Sequence, residues 1–490
     1  MVRDQAAPPN ILLVTLDQFR ADCLSCAGHP VVRTPALDHL AANGTRLSRH
    51  YSQAAPCSPG RAALYTGTYQ MNNRVVANGT PLDTRLENIA LAARRAGYAP
   101  ALFGYTDQGV DPRYVTDPTD PRLSTYEGVL PGFDPVLDMS GWQLPWLQWL
   151  NGHGYDFPDP ISALRLEHER PVELSTSTFL TDAFLGWLDE QHEPWFAHLS
   201  YLRPHPPYSA AGGFSTMYDP ASCPPPLPVP EVRHKLVDAL LHSPAAAPTD
   251  AAEVAKMQSQ YFGMISEVDA QLARAWSALT ERGEWDNTVI VVTSDHGEQL
   301  GDQGLVQKAG FYESSYAVLG IVRDPRFDTV DVIDEFTENV DIMPTLCEAM
   351  GIAVPAQCDG FPLTPFVRGE RPNLWRDAAY YEWDWRDVFI PHGDHEWPWD
   401  RRLERQNLAV RRSRERAFVH FGDGSWRCFD LAADPTWQTE VTDTSVVLGE
   451  AAAMLSWRSR NLDRTMTGML LQDGGIGRRP APITAQMERT

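Results

Sequence analysis

Five short apolar runs, set apart by polar or turn-forming residues, constrain the fold of this chain more than any other feature in it. They cover residues 10–16, 99–103, 194–200, 288–293 and 316–322. Continuous apolar runs of this length read as parallel strands buried on both faces. Helical periodicity fills the gaps between them, over residues 34–43, 86–96, 175–191 and 251–282. Alternating strands and helices predict an α/β sandwich, with a central mostly parallel sheet flanked by helices. A chain of 490 residues exceeds one small core, so a smaller appended domain is expected.

That appendage is expected over residues 371–490, after an α/β domain spanning 9–370. Residues 378–385 and 416–421 read as half-buried antiparallel strands. The turn Gly422-Asp-Gly424 then leads into a third strand over 426–431, which makes a C-terminal α+β unit. The tail from Gly474 is either frayed or an arm that grips a neighbouring subunit. Residues 204–248, rich in Pro, Ala and Ser, read as a long surface excursion.

Polar residues follow the strand runs: Asp17 after the first, Tyr105, Thr106 and Asp107 after the second, His205 after the third, and Asp295 and His296 after the fourth. Ligands of open α/β sheets bind beyond the carboxyl ends of the strands, so these residues are expected to converge in one crevice. The net charge of −23 argues against nucleic acid or an anionic membrane as a partner. It does not exclude a small anionic substrate where a metal and a few cations reverse the field locally. No run approaches a membrane span and no signal peptide is visible, so a cytoplasmic protein is expected. Seven scattered cysteines do not suggest a disulfide framework. Cys23-Leu-Ser-Cys26 has the spacing of a zinc or redox pair but no second pair, and reads as two buried thiols.

The segment Cys57-Ser-Pro-Gly-Arg61, followed by Ala-Ala-Leu-Tyr-Thr-Gly67, resembles the sulfatase signature, in which the cysteine is oxidised to formylglycine. Gly60 departs from the usual Ser or Ala of that signature. The resemblance implies a hydrated aldehyde whose oxygen, on a divalent metal, is the nucleophile. Arg61, one helical turn on, is expected to reach back to that group and to substrate oxygens. Asp17, Asp295 and His296, with residue 57, form the expected metal set. One imidazole and one fewer carboxylate than in ordinary sulfatases favour manganese, with calcium, zinc or iron as alternatives.

A narrower resemblance covers most of the chain. It includes Met71 to Asn78, Gly104-Tyr-Thr106, Tyr201-Leu-Arg-Pro-His-Pro-Pro207, Thr293-Ser-Asp-His-Gly-Glu-Gln-Leu-Gly301, Asp341-Ile-Met-Pro-Thr345, Asp359-Gly360, Trp385-Arg-Asp-Val388 and Val419-His-Phe421. In these motifs the chain resembles the phosphonate monoester hydrolases, which are also phosphodiesterases of the alkaline phosphatase superfamily. The resemblance implies that Asn78, Tyr105, His205 and Lys308 contact the transferred group or the leaving oxygen. Lys308 lies at the family's offset from His296, and His205 is the expected acid for the leaving group. It implies hydrolysis of phosphonate monoesters and phosphodiesters with side activity on sulfate esters; a dedicated arylsulfatase or choline-type sulfatase is the alternative. A small anionic ester substrate, a formylglycine-generating enzyme and a homo-oligomer, first of all a tetramer, are the implied partners. Asp107 stands where that family has threonine, and where arylsulfatases complete a Lys-x-His. It is read as the base that releases the product, or as a selector of polar or cationic leaving groups. A protein with a dead site would carry neither aldehyde nor metal.

Overall fold

A computed structural model describes residues 8–386, 405–462, 469–473 and 475–478. Nine strands precede residue 340: β1 Asn10–Leu16, β2 Thr45–Tyr51, β3 Ala54–Ala55, β4 Pro100–Gly104, β5 Asp134–Asp138, β6 Phe196–Tyr201, β7 Thr288–Thr293, β8 Gly320–Arg323 and β9 Asp331–Glu338. Eight of them form one sheet in the order β5-β4-β6-β1-β7-β8-β2-β9. β1 lies parallel to both neighbours, pairing Thr15 with Ser200 on one side and Thr293 on the other. Only β8 runs against β7 and β2, so the sheet is mostly parallel, as expected.

Successive residues of a strand face opposite sides of its sheet, and β1 shows both sides covered. Leu12, Val14 and Leu16 pack in one buried cluster with residues of the helices Pro35–Ala41, Thr176–Leu188 and Ala251–Glu281. Ile11 and Leu13 pack in another with the helices Cys57–Thr66, Ile89–Arg95 and Ile342–Ala349. This is the expected sandwich.

The second sheet contains β10 Ala378–Asp384, β11 Asn407–Ser413, β12 Arg416–Phe421 and β13 Trp426–Asp430, in the order β13-β12-β11-β10-β3. β10 to β13 are antiparallel, while β3 joins as a parallel edge by pairing Ala54 with Glu382 and Ala55 with Trp383. The two residues immediately before Pro56 and Cys57 therefore belong to the C-terminal sheet. One face of that sheet packs under the helix Thr444–Arg460 through Met454 and Trp457. The other packs on Leu236, Leu240, Phe311 and Tyr316. A hairpin of Met469–Gln472 and Gly475–Arg478 follows. The expected grip of the tail on a neighbouring subunit concerns residues mostly outside those described, as do Asp387 and Val388 of the Trp385 motif.

Three expectations need correction. Residues 316–319 are not strand, and the strand that follows them is antiparallel. Tyr316 instead stacks on Tyr381 of β10, with centroids 4.0 Å apart. The Pro-rich stretch 204–248 is not simply surface, because Ala210, Leu236, Val237 and Leu240 are buried. Of the pair Cys23 and Cys26, only the first is buried, the second being exposed; all seven cysteines are free. β2, β5, β9 and β11 had no counterpart in the sequence reading. β2 interleaves Arg46, Arg49 and His50 with its apolar residues, and β5 is an exposed edge, so neither makes an apolar run.

Candidate active site

Strands β1, β4, β6 and β7 end level with one another, which delivers the residues after each to one rim. Asp17, Cys57, Asp295 and His296 each place a ligand atom there, all within 4.8 Å of one another. Cys57 opens a ten-residue helix that is buried throughout. The exposed Asn78 takes up one of the free N–H groups of its first turn, since Asn78 Oδ1 accepts from Ser58 N at 2.9 Å. Gln108 Nε2 holds the Ser58 carbonyl at 2.9 Å.

Arg61 projects beneath this rim and is fully buried. It donates through Nε to Asp295 Oδ2 at 3.0 Å and through Nη2 to Asp17 Oδ2 at 2.9 Å. Nη1 donates to Ser200 Oγ at 2.8 Å and to the Tyr105 carbonyl at 3.2 Å. Its donors thus hold the two carboxylates, and the expected reach to substrate is replaced by support from below. Tyr105 plays a related part: its hydroxyl donates to Asp17 Oδ2 at 2.7 Å and its ring stacks over Arg61, with Cζ 4.5 Å from the centroid. Asp107 Oδ2 lies 3.6 Å from Arg61 Nε. Its backbone is left-handed, at φ +51°.

Two carboxylates sharing one buried guanidinium leave a negative excess. Burial works against both. The cations Arg61 and Lys308 nevertheless hold Asp17 well below the usual carboxylate range, while burial and the charge of Asp17 push Asp295 up to about 7. Burial pushes the His296 and His205 imidazoles down to about 3, which leaves both neutral. His296 offers Nδ1 to the Gly297 carbonyl and turns Nε2 to Cys57 Sγ at 3.2 Å. Asp17 Oδ1 is buried without a hydrogen-bond partner. A neutral imidazole lone pair, two carboxylates and an orphaned oxygen suit a divalent cation, so the residues fit the metal that the sequence suggests.

Lys308 closes the site from the far side. Its Nζ reaches Cys57 Sγ at 3.4 Å, Gln18 Oε1 at 2.8 Å and His205 Nε2 at 3.1 Å. Burial opposes its charge, but the carboxylates of Asp17 and Asp295 outweigh burial and keep it an ammonium. His205 Nδ1 faces the Pro206 carbonyl at 2.7 Å, which leaves Nε2 to accept from Lys308. The proton expected on His205 is therefore carried by Lys308.

Gly60 is required here. A Cβ at this position would lie 2.4 Å from the Asp295 carbonyl oxygen and 3.0 Å from that of Ala54, both backbone atoms. Gly60→Ala must push the helix away from Asp295. We expect a stability loss of about 1–3 kcal/mol and a fall in turnover of about 100-fold. Thermal melts and steady-state rates read both, and a variant unchanged in each would contradict the close approach.

Sequence reasoning gave no role to Gln18, Ser200, Arg203, Tyr208 or Glu298. Arg203 donates to the carbonyls of His205 at 2.8 Å and Pro207 at 2.9 Å and pairs with the buried Glu167, which shapes the loop that carries His205. Arg203 and Glu298 lie within the quoted motifs, but a motif does not say where a side chain points.

The fold and the converging donors define a hydrolase of anionic esters. Residues 9–352 match the sulfatase family model, and residues 301–456 match the C-terminal model of N-sulphoglucosamine sulphohydrolase. The multifunctional alkaline phosphatase superfamily protein PehA of Trinickia caryophylli is 34% identical over 94% of this chain and 96% of its own. The phosphonate monoester hydrolase of Agrobacterium radiobacter superposes with a TM-score of 0.88 at 39% identity, covering 96% of this chain and all of the other. SpPMH of Silicibacter pomeroyi, of the same name, gives 0.85 at 34%, covering 96% and 99%. The chain belongs to the sulfatase family of the alkaline phosphatase superfamily, and is a sulfuric or phosphoric ester hydrolase.

Proposed function

We propose that this chain cleaves phosphonate monoesters and phosphodiesters at the rim around Cys57, with sulfate esters as a side activity. The observation that carries this reading is the placing of Lys308 Nζ against Cys57 Sγ, opposite the cluster of Asp17, Asp295 and His296. Those three residues and residue 57 would hold one divalent cation, manganese first, which when bound supplies Lewis-acid polarisation. Formylglycine at position 57 supplies an oxygen nucleophile in place of a thiol that burial keeps protonated. The Asn78 side chain, on the exposed side of the helix start, is placed to meet a substrate oxygen. Lys308 neutralises charge on the transferred group and holds the proton for the leaving oxygen. Arg61 is committed to the carboxylates, so among the described residues Lys308 is the cation at the rim left to face substrate. A monoanionic ester is therefore favoured over a dianion. The names of the two phosphonate monoester hydrolases support the same substrate class.

The test is a panel of aryl esters of phenylphosphonate, phosphate diester, phosphate monoester and sulfate. The two monoanionic phosphorus esters should be turned over fastest. Sulfate turned over at least about tenfold faster than both would establish a dedicated sulfatase instead. The same proposal includes maturation by a formylglycine-generating enzyme, a cytoplasmic location and a homo-oligomer, first of all a tetramer. Among the described residues, no helix is long and apolar enough to cross a membrane.

Asp107 is the proposed proton acceptor for residue 57 at product release. It lies within Coulombic reach of Cys57, and burial pushes its carboxyl up to about 8 against the pull of Arg61. Asp107→Asn should slow turnover by about 100-fold or more while leaving a first-turnover burst. Wild-type turnover should rise as pH approaches 8 and the carboxyl ionises, and that rise should be absent from the variant. Unchanged kinetics in both Asp107→Asn and Asp107→Thr, across several substrates, would remove Asp107 from the reaction.

A further inference from the structure

Glu298 is fully buried, two residues after His296. Its two oxygens accept from donors on three separate segments. Oε1 takes Leu300 N at 2.8 Å and Gln307 N at 2.5 Å. Oε2 takes Tyr208 Oη at 2.9 Å and Gln18 Nε2. Gln18 follows the candidate ligand Asp17, Tyr208 belongs to the loop of His205, and Gln307 precedes Lys308.

We propose that Glu298 is a positioning residue that sets Lys308, and with it the His205 loop, against residue 57. This rests on the reading of that rim as the ester-cleaving centre. Two links run from Glu298 to Lys308. The first is the amide of Gln18. With Nε2 directed to Glu298, its Oε1 must face the other way, and there it accepts from Lys308 Nζ at 2.8 Å. The amide is thus held with its acceptor, not its donor, toward the ammonium. The second link is the backbone. Leu300, Gln303 and Gln307 have φ of +53°, +50° and +63°, conformations that non-glycine residues adopt only when their surroundings impose them. Glu298 Oε1 closes the neck of this loop between Leu300 and Gln307, beside the bond from Gln299 N to the Gln307 carbonyl at 2.6 Å. A carboxylate suits this junction because it offers acceptors only, and four donors meet there. An amide of the same shape would turn its own N–H groups on at least one of them.

The test compares wild type with Glu298→Gln, Lys308→Ala and the double variant, each loaded with manganese. Turnover of an aryl phenylphosphonate and the affinity for phenylphosphonate itself are both measured. Glu298→Gln should lower kcat/KM by about 10- to 100-fold and weaken phenylphosphonate binding, at unchanged metal content. In the Lys308→Ala background the same change should cost less than about threefold, because the residue through which it acts is gone. Gln18→Leu leaves the carboxylate and both loop bonds in place while cutting the first link. It should reproduce the loss and the non-additivity, and it decides the matter if Glu298→Gln fails to fold. Equal losses with and without Lys308, in rate and in affinity, would overturn the proposal, as would a Glu298→Gln enzyme within twofold of wild type. A wild type that binds phenylphosphonate but cleaves none of the esters would instead sink the assigned function, and the binding measurements would still judge Glu298.

Discussion

Cys57→Ala should fold normally and lose turnover by about 10^4-fold or more, since removing the nucleophile of such a site leaves only binding and electrostatics to act. The loss of one buried sulfur should cost little stability, on the order of 1 kcal/mol. The unoxidised protein should be nearly as inactive, because burial among Asp17, Asp295 and Asp107 pushes the Cys57 thiol well above its ordinary value. Conversion to formylglycine lowers the intact mass by about 18 Da. Turnover across preparations should therefore rise in proportion to the lighter species. A Cys57→Ala enzyme with near-normal rates would refute the nucleophile, and with it the central assignment.

Withdrawal of the cation should have the next largest effect. A strong chelator followed by desalting is expected to lower turnover by about 10^3-fold, the equivalent of about 4 kcal/mol of transition-state stabilisation. Manganese should restore it, and Asp295→Asn should respond to neither treatment. The reason lies in the charges: Arg61 is shared between Asp17 and Asp295, and Asp17 Oδ1 is buried with no donor to satisfy it. Full activity in protein shown by elemental analysis to lack a divalent ion would overturn the metal assignment.

Much of this site was legible in the sequence because the strands carrying it are apolar on both faces. β1 and β7 read as continuous runs, and the residues just after them, Asp17, Asp295 and His296, could be placed at one rim before any coordinates. Cys57 and Arg61 came from the resemblance to the sulfatase signature, and Lys308 from the resemblance to the phosphonate monoester hydrolases, whose lysine stands at the same offset from His296. Direction was not legible. Helical spacing allows Arg61 to point at substrate or away from it, and only the packing of Ser200, Tyr105 and both carboxylates around it shows that it points down. The protonation of His205 likewise depends on the Pro206 carbonyl, a neighbour fixed by the shape of its loop. The fit of Gly60 depends on the Asp295 backbone, more than two hundred residues away in the chain. β2 and β5 were missed because their polar residues break the apolar pattern that betrayed the others.

The parallel pairing of Ala54 and Ala55 with Glu382 and Trp383 makes the C-terminal sheet part of the mounting for Cys57. The chain's final quarter is then no detachable cassette. An enzyme shortened near residue 370 would keep every proposed metal ligand yet lose the rail along which its reactive helix begins. The outer strands β12 and β13 do not touch that rail, so changes there should leave the start of the reactive helix in place, while changes in β10 should not.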